Sequence, residues 1–488
     1  MNINIKLFFI LFLILSFFCD LVCPLFISNW TISVAVFFAF FCLFLLLIFF
    51  HKNFILDIQR IIKNKNNSLN LYLLFVTYIL LITFIMGIIG KVLLVKSLLG
   101  IIGQYILSVL VYYLVFIYIA YKILKPKLLI KIVYTMLFVI LVLGIVDFIA
   151  YYFNIVFLQK ILLMGMDIQV IRYGAFTKVY SMGLPRVQSV YFEPGFFAEY
   201  IFFLLPIIYK LSLSKFNIYK NKNLNIIIKR MMIPLLWINL ILTQSPIFLV
   251  FALISTLIYF WFGILNLIKT NLKRFIRILF VLLFFGVSLF PFIYNINLND
   301  TYAGRITKVI SNLNDINVLI YSEQSFGTRL CNIINLVDIG LRSPLFGVGH
   351  SNLIPLMEKQ IINNRSPVFV TDEIKKNSLQ EIFIFQNPPF TNIFVRYGLI
   401  GLILFYAFII KTILSLIKIR KYTRENTKQF IDGLIGTLFS YIVISCYDIT
   451  IASLIPCIPI GLSIGLIQYI YENREKEKLN NENILKGI

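Results

Sequence analysis

The chain alternates long apolar runs with short basic clusters, and one polar stretch from about Asn295 to Pro389 breaks the rhythm. The runs lie at about 7–27, 31–50, 71–90, 98–121, 131–153, 195–211, 231–244, 247–267, 278–295, 390–413, 430–448 and 452–471. Each approaches the roughly 20 residues that a helix needs to cross a bilayer, so about twelve transmembrane helices are predicted. A membrane β-barrel would show short alternating segments instead. The expected fold class is therefore an all-α polytopic membrane protein with one large outer loop containing short amphipathic helices. Residues 1–294 would hold the first nine helices and a smaller outer loop at 154–192. Residues 295–389 would form the large loop, and 390–488 the last three helices and a tail. The N-terminal run lacks a small-x-small cleavage site and reads as a first span. Gln244, Ser245 and Pro246 divide 231–267 into two helices around a tight turn.

Within the polar stretch, Ser325-Phe-Gly-Thr-Arg329 opens an amphipathic pattern carried by Leu330, Ile333, Ile334, Leu336, Val337 and Leu341. Gly340 and Pro344 suit its end. This predicts a helix lying in the loop, with Arg329 near its N-terminus. Free backbone N–H groups and the helix dipole already favour anions there.

Composition narrows the class further. The chain is 60% hydrophobic and only 13% charged, with a mean hydropathy of +0.92. Its net charge of +23 sits in clusters between apolar runs, which marks topology and attraction to anionic lipid heads. No basic groove with interleaved aromatics is present, so nucleic acid is not an expected partner. With the N-terminus cytoplasmic, roughly 29 basic residues fall inside and roughly 15 outside, the bias of the positive-inside rule. Both termini are then expected in the cytoplasm, and the loops at 154–192 and 295–389 on the outer face.

The six cysteines show neither a disulfide framework nor metal-ligand spacing, and the only histidines are His51 and His350. No metal and no cofactor is expected.

Candidate chemistry gathers where the outer loops meet the helices. Arg186 offers a planar fork for phosphate or carboxylate; a lipid-head anchor is the plainer reading. Glu193 precedes Pro194 at a helix start, as a cap or as a reacting carboxylate. Glu199 lies about one turn into the span, where an ionisable group is costly. Ser343-Pro-Leu-Phe-Gly347-Val-Gly349-His350 forms a turn whose glycines permit close approach of a ligand. His350 is the only histidine on the expected outer face, as a proton shuttle or a hydrogen-bonded structural group. Asn392, in the segment Asn387–Gly401, could bind sugar hydroxyls, whereas Gly398 and Gly401 suit close helix packing. Arg305, Lys308, Arg342 and Arg365 complete a cationic outer surface. Asp20, Asp147 and Asp448 read as structural partners of Lys or Arg.

The order of these pieces resembles the superfamily of O-antigen polymerases (Wzy-like) and O-antigen ligases. It is carried by Arg186…Glu193-Pro-x-x-x-Ala198, by Leu242-Thr-x-Ser245, by Gly-Thr-Arg329, by Ser343–Gly349, and by Asn392 running into Gly398-Leu-Ile-Gly401. The resemblance implies a metal-independent glycosyltransferase of a bacterial inner membrane, working on its periplasmic face. Its substrate would be oligosaccharide carried on undecaprenyl diphosphate, and a chain-length regulator protein is an implied partner. By motif position Arg186 and Arg329, with Arg305, would bind the diphosphate. Asn392, Gly347 and Gly349 would contact sugar, and Glu193 and His350 are the candidate proton acceptors. The chain departs from the pattern at Pro246, where an Arg is frequent, and at Thr391, where ligases carry His. The second departure favours polymerase over ligase. A lipid-linked oligosaccharide flippase is the alternative from another class. It would need a cationic cavity deep in the membrane, and the apolar runs carry few Arg or Lys.

Overall fold

The computed structural model describes residues 3–17, 22–24, 31–90, 94–163, 180–181, 184–189, 194–215, 217–245, 248, 251–256, 324–350, 352–363, 388–446 and 454–486. The helices in chain order are α1 (Ile3–Ser16), α2 (Val34–Lys63), α3 (Leu69–Ile89), α4 (Leu94–Ile101), α5 (Val111–Tyr118), α6 (Pro126–Tyr152) and α7 (Val156–Leu163). They continue as α8 (Pro194–Leu213), α9 (Lys222–Thr243), α10 (Gln324–Gly340), α11 (Leu353–Asn363), α12 (Pro389–Arg420), α13 (Glu425–Ile444) and α14 (Leu454–Lys486). Two antiparallel ribbons are the described exceptions to helix: Val22–Pro24 with Thr31–Ser33, and Tyr180–Ser181 with Leu184–Pro185. The expected all-helical class is what forms.

Among the described residues, α3, α6, α9 and α12 are long and apolar enough to cross a membrane. A fifth span results if the sharply bent halves of α2, Phe38–Phe49 and Lys52–Lys63, count as one. The expected twelve are not reached. The run at 278–295 and most of 247–267 lie outside the described residues. Helices do form at 195–211, 430–448 and 452–471 without meeting the same test. In α13 the polar first turns account for this. The run at 98–121 becomes a helix wound partly with π-type turns, at Ile102–Leu110 and Ile119–Ile123.

The helix ends follow from local sequence. Pro126 starts α6 at a position where its missing N–H costs nothing. Asn221 caps α9 by accepting from the N–H groups of Asn223 and Leu224. Gln244 ends α9 in the left-handed conformation, φ 50°.

The core between α3, α5 and α12 is aromatic. Tyr72 meets Tyr113 edge-on at 4.9 Å and Phe408 at 5.3 Å, and Phe75 meets Phe405 at 5.4 Å. Buried hydroxyls fix the register of α3 against α12, with Ser68 Oγ and Thr412 Oγ1 2.6 Å apart. The same end of the bundle carries charge. Lys122 pairs with Asp57 and Glu472, Arg420 with Asp432, and Arg474 stacks over Tyr422. Large side chains such as Leu81, Ile85, Ile403, Ile410 and Leu414 face outward on α3 and α12, an apolar belt suited to lipid.

Candidate polar chamber at a broken helix

The helix α12 is broken at Gly398, which takes φ 68° and ψ −171°. A break in a spanning helix leaves carbonyls before it and N–H groups after it without partners, at several kcal/mol each in an apolar setting. The loop between α10 and α11 supplies them. Val348 and Gly349 N–H donate to the carbonyls of Val395 and Arg396 at 2.8 and 3.0 Å. Leu399 and Ile400 N–H donate to the carbonyls of Pro344 and Leu345 at 2.8 and 3.4 Å. The hydroxyl of Tyr78, from α3, donates to the carbonyl of Tyr397 at 2.9 Å. Loop and helix lie backbone on backbone: a Cβ on Gly398 would sit 2.1 Å from the Leu345 carbonyl oxygen, and one on Gly347 2.4 Å from the Arg396 carbonyl carbon. Gly347 and Gly349 were expected to admit a ligand. They admit the chain itself instead, Gly347 against α12 and Gly349 against Met86 of α3.

Arg396 lies just before the break, among the largest fully buried side chains at 2% exposure. Its Nη1 donates to His350 Nδ1 at 2.9 Å. A guanidinium only donates, so Nδ1 accepts and carries no proton. Burial and the adjacent positive charge push the His350 imidazole well below its usual range. The ring is therefore neutral near pH 7, and the hydrogen-bond network assigns its proton to Nε2. His350 was expected to accept a proton; in this arrangement its free nitrogen offers an N–H. Tyr397 Oη lies 3.5 Å from the same Nδ1, and the Tyr105 ring stands edge-on to Tyr397 at 6.3 Å from the first π-type segment. Asn392, one turn before Arg396, is buried with its Oδ1 unpartnered, as is Arg396 Nε. Asn352 pins the loop to α3 by donating to the carbonyls of Met86 and Val348 at 3.3 and 2.9 Å.

α10 and α11 hold this loop in place. Cys331, Leu336, Ile339, Leu353 and Met357 pack with Val348 and with Val395 of α12 in a core of their own. Arg342 donates to Gln360, whose amide donates to Asp338 at 3.4 Å. The amphipathic pattern from Ser325 thus becomes α10, with Arg329 in its second turn; the Arg329 side chain lies outside the described residues.

A second polar group stands on α6, α8 and α9. Arg186 Nε donates to the Thr243 carbonyl at 2.9 Å and Nη2 to that of Gln244 at 3.4 Å. Val187 N–H donates to the Leu242 carbonyl at 2.9 Å. Two motif segments, around Arg186 and at Leu242–Ser245, therefore meet, with the guanidinium at the C-terminus of α9. Asp147 accepts from the N–H groups of Gln188 and Ser189 at 2.9 and 3.1 Å, so this carboxylate holds the loop. Glu199 is buried in α8. Glu193 and Arg305 lie outside the described residues.

Arg396 is the residue the sequence reading missed: it was passed over within the segment leading into the tenth span. The available signal was a charge well inside the apolar run 390–413. A cation buried within an apolar run, where few were expected, is thus present. No group of three or more His, Cys, Asp or Glu able to hold a metal occurs among the described residues. No protein-family model matches the chain, and no curated protein matches it.

Proposed function

We propose that this chain is an inner-membrane polysaccharide polymerase of bacteria, joining oligosaccharide repeats carried on undecaprenyl diphosphate at the periplasmic face. In this reading about twelve helices cross the bilayer, both termini are cytoplasmic, and a chain-length regulator is a partner. One observation carries the reading most. Ser343–Asn352, expected in the outer loop, and Pro388–Gly401, expected to lead into the tenth span, are hydrogen-bonded together around a break in a candidate spanning helix, with Arg396 buried against His350. Irregular backbone at such depth is tolerated where protein or a water-filled cavity surrounds it. An ionisable group there is a functional-site hypothesis by default.

The reaction forms a bond from an acceptor hydroxyl oxygen to the anomeric carbon of the donor and breaks the bond from that carbon to the phosphate oxygen. The lipid diphosphate departs with the electron pair, and the hydroxyl proton passes to a base, for which Glu193 is the candidate. Fixed guanidinium groups stabilise charge building on the leaving diphosphate better in a water-poor chamber than in bulk water. A base at the acceptor hydroxyl adds roughly two to four orders of magnitude in rate.

The test is extension of purified lipid-linked repeats by the purified protein in nanodiscs. Ladders of longer products are expected, and their absence with correctly folded protein rejects the reading. The broken helix with its deep cation favours a second reading, a lipid-linked oligosaccharide flippase, since transporters use interrupted helices at their substrate sites. Sealed vesicles separate the two: a flippase moves labelled lipid-linked sugar across the bilayer without lengthening it.

A further inference from the structure

The bend in α2 separates two halves of different character. Phe38–Phe49 carries no charge, whereas Lys52–Lys63 turns away from it by 110° and holds Lys52, Asp57, Arg60 and Lys63. The second half sorts its side chains. Phe54, Asp57 and Ile61 are buried. Phe54 meets Tyr118 edge-on at 5.4 Å. Asp57 pairs with Lys122 at 3.6 Å and with Arg60 at 3.4 Å, so the one carboxylate of this half is engaged within the protein. Ile55 and Leu56 are 47% and 50% exposed, and Lys52 and Lys63 are exposed beside them. At about 100° per residue, Ile55 and Ile62 share one flank and Asn53 and Arg60 the opposite one. A helix bent across the end of a span, with an apolar flank and cations at its edge, suits the interface plane of a membrane. The pattern continues past the helix. Lys65 is exposed in the turn to α3, and α12 adds Lys411 and Lys418, about two turns apart and so on one stripe. Lys418 Nζ donates to Asn66 at 2.8 Å and Lys411 Nζ to Asn70 at 3.2 Å, which holds both against the same turn. That stripe borders the outward-facing Ile410, Leu414 and Ile417. Among the described residues no ion pair includes Lys52, Lys63, Lys65, Lys411 or Lys418.

We propose that the half-helix Lys52–Lys63, the turn after it, and Lys411 and Lys418 of α12 form a docking surface for anionic phospholipid of the phosphatidylglycerol class. The half-helix lies in the headgroup plane, with Ile55 and Ile62 toward the acyl boundary and the lysines toward the lipid phosphates. Asn66 and Asn70 hold two of the ammonium groups in position. Charge complementarity selects the occupant. Lysines without a paired carboxylate, set beside an apolar flank, match a surface that is negatively charged above and apolar below. The surface lies at the Ser68–Thr412 end of α3 and α12, away from the break at Gly398, and does not rest on the transfer reaction above.

The experiment titrates the full chain in mild detergent with short-chain phosphatidylglycerol and, separately, with short-chain phosphatidylcholine. The readout is the thermal unfolding midpoint, which a ligand of the folded state raises saturably. A saturable rise with phosphatidylglycerol and none with phosphatidylcholine is expected. Each lysine near an anionic surface is worth about fivefold in affinity, so the triple variant Lys63→Gln, Lys65→Gln, Lys418→Gln should weaken apparent affinity about 10- to 100-fold. The control variant Lys215→Gln, Lys220→Gln, Lys222→Gln removes as many exposed lysines from another loop and should weaken it far less. No saturable response to phosphatidylglycerol, equal responses to the two lipids, or equal losses in the two triple variants overturns the surface. The placement of the half-helix has its own readout. Ile55→p-benzoylphenylalanine, irradiated in nanodiscs holding the two lipids in equal amounts, should yield phospholipid adducts. Adducts to protein alone, or none, overturn the in-plane position. If the lysine variant fails to fold, the same adducts decide: an excess of phosphatidylglycerol supports the surface, and equal proportions overturn it.

Discussion

At the scale of the residue, the pair His350–Arg396 fixes a protonation state. The folded protein holds His350 neutral, below its ordinary value of 6.5, because burial and Arg396 both oppose the imidazolium. The unfolded chain takes up that proton as the pH falls below 6.5, so the folded state loses stability there and keeps it above. The slope for one such group is at most about 1.4 kcal/mol per pH unit. Thermal unfolding between pH 7 and pH 5 is expected to show a falling midpoint in wild type and a flatter one in His350→Gln; identical slopes would reject the assigned state. Arg186 makes a different prediction. It donates to the last carbonyls of α9, where a cation is worth roughly 0.3–2 kcal/mol. Arg186→Ala should therefore lower the unfolding midpoint, and Arg186→Lys should restore much of it. If Arg186 also binds diphosphate, Lys will restore stability and leave chain-extension activity low. His350 was legible as a candidate because the expected outer face has no other histidine. Arg396 was not singled out, because a lone cation inside the predicted run 390–413 was read only as part of the motif running into Gly398.

At the scale of the element, the break in α12 is a composite of two segments far apart in sequence. Gly398→Ala forces a side chain into the Leu345 backbone and a left-handed φ onto a residue with a Cβ, where strain alone costs about 1–3 kcal/mol. The expected outcome is poor yield of folded protein by size-exclusion in detergent, or a large drop in midpoint. Gly401→Ala, whose nearest neighbour is the Tyr397 side chain, should be milder. Tyr78→Phe removes one donor from the end of the half-helix and should cost about 1 kcal/mol with the fold preserved. The helix from Ser325 was readable because its period, glycine and proline agreed with one another. The break was not, since Gly398 followed by Leu-Ile-Gly looks like ordinary small-residue packing until the loop that fills it is in view. The π-type turns beside Tyr105 left no trace in an apolar run that any helical winding satisfies.

At the scale of the whole molecule, charge and chemistry separate to opposite ends of α3 and α12. The ion pairs of Asp57, Lys122, Glu472, Arg420 and Asp432 gather at one end, and the break in α12 with Arg396 and His350 lies toward the other. Impermeant maleimide added to intact cells is expected to label Phe346→Cys, on the exposed loop, and to spare Arg474→Cys; the reverse pattern would invert the proposed topology. Hydropathy made the membrane class and the long spans plain, because twenty apolar residues admit few other fates. It did not say which helices cross, since polar first turns such as those of α13 dilute the signal. The interlock of loop and broken helix also sets an order of biogenesis. The segment 344–349 is synthesised before 388–420 and, in the proposed topology, has to be across the bilayer when the later helix arrives, because that helix draws its missing hydrogen bonds from it. Until the two meet, the ribosome has delivered a span with an open seam, and the last helices can close around it only once the seam is filled.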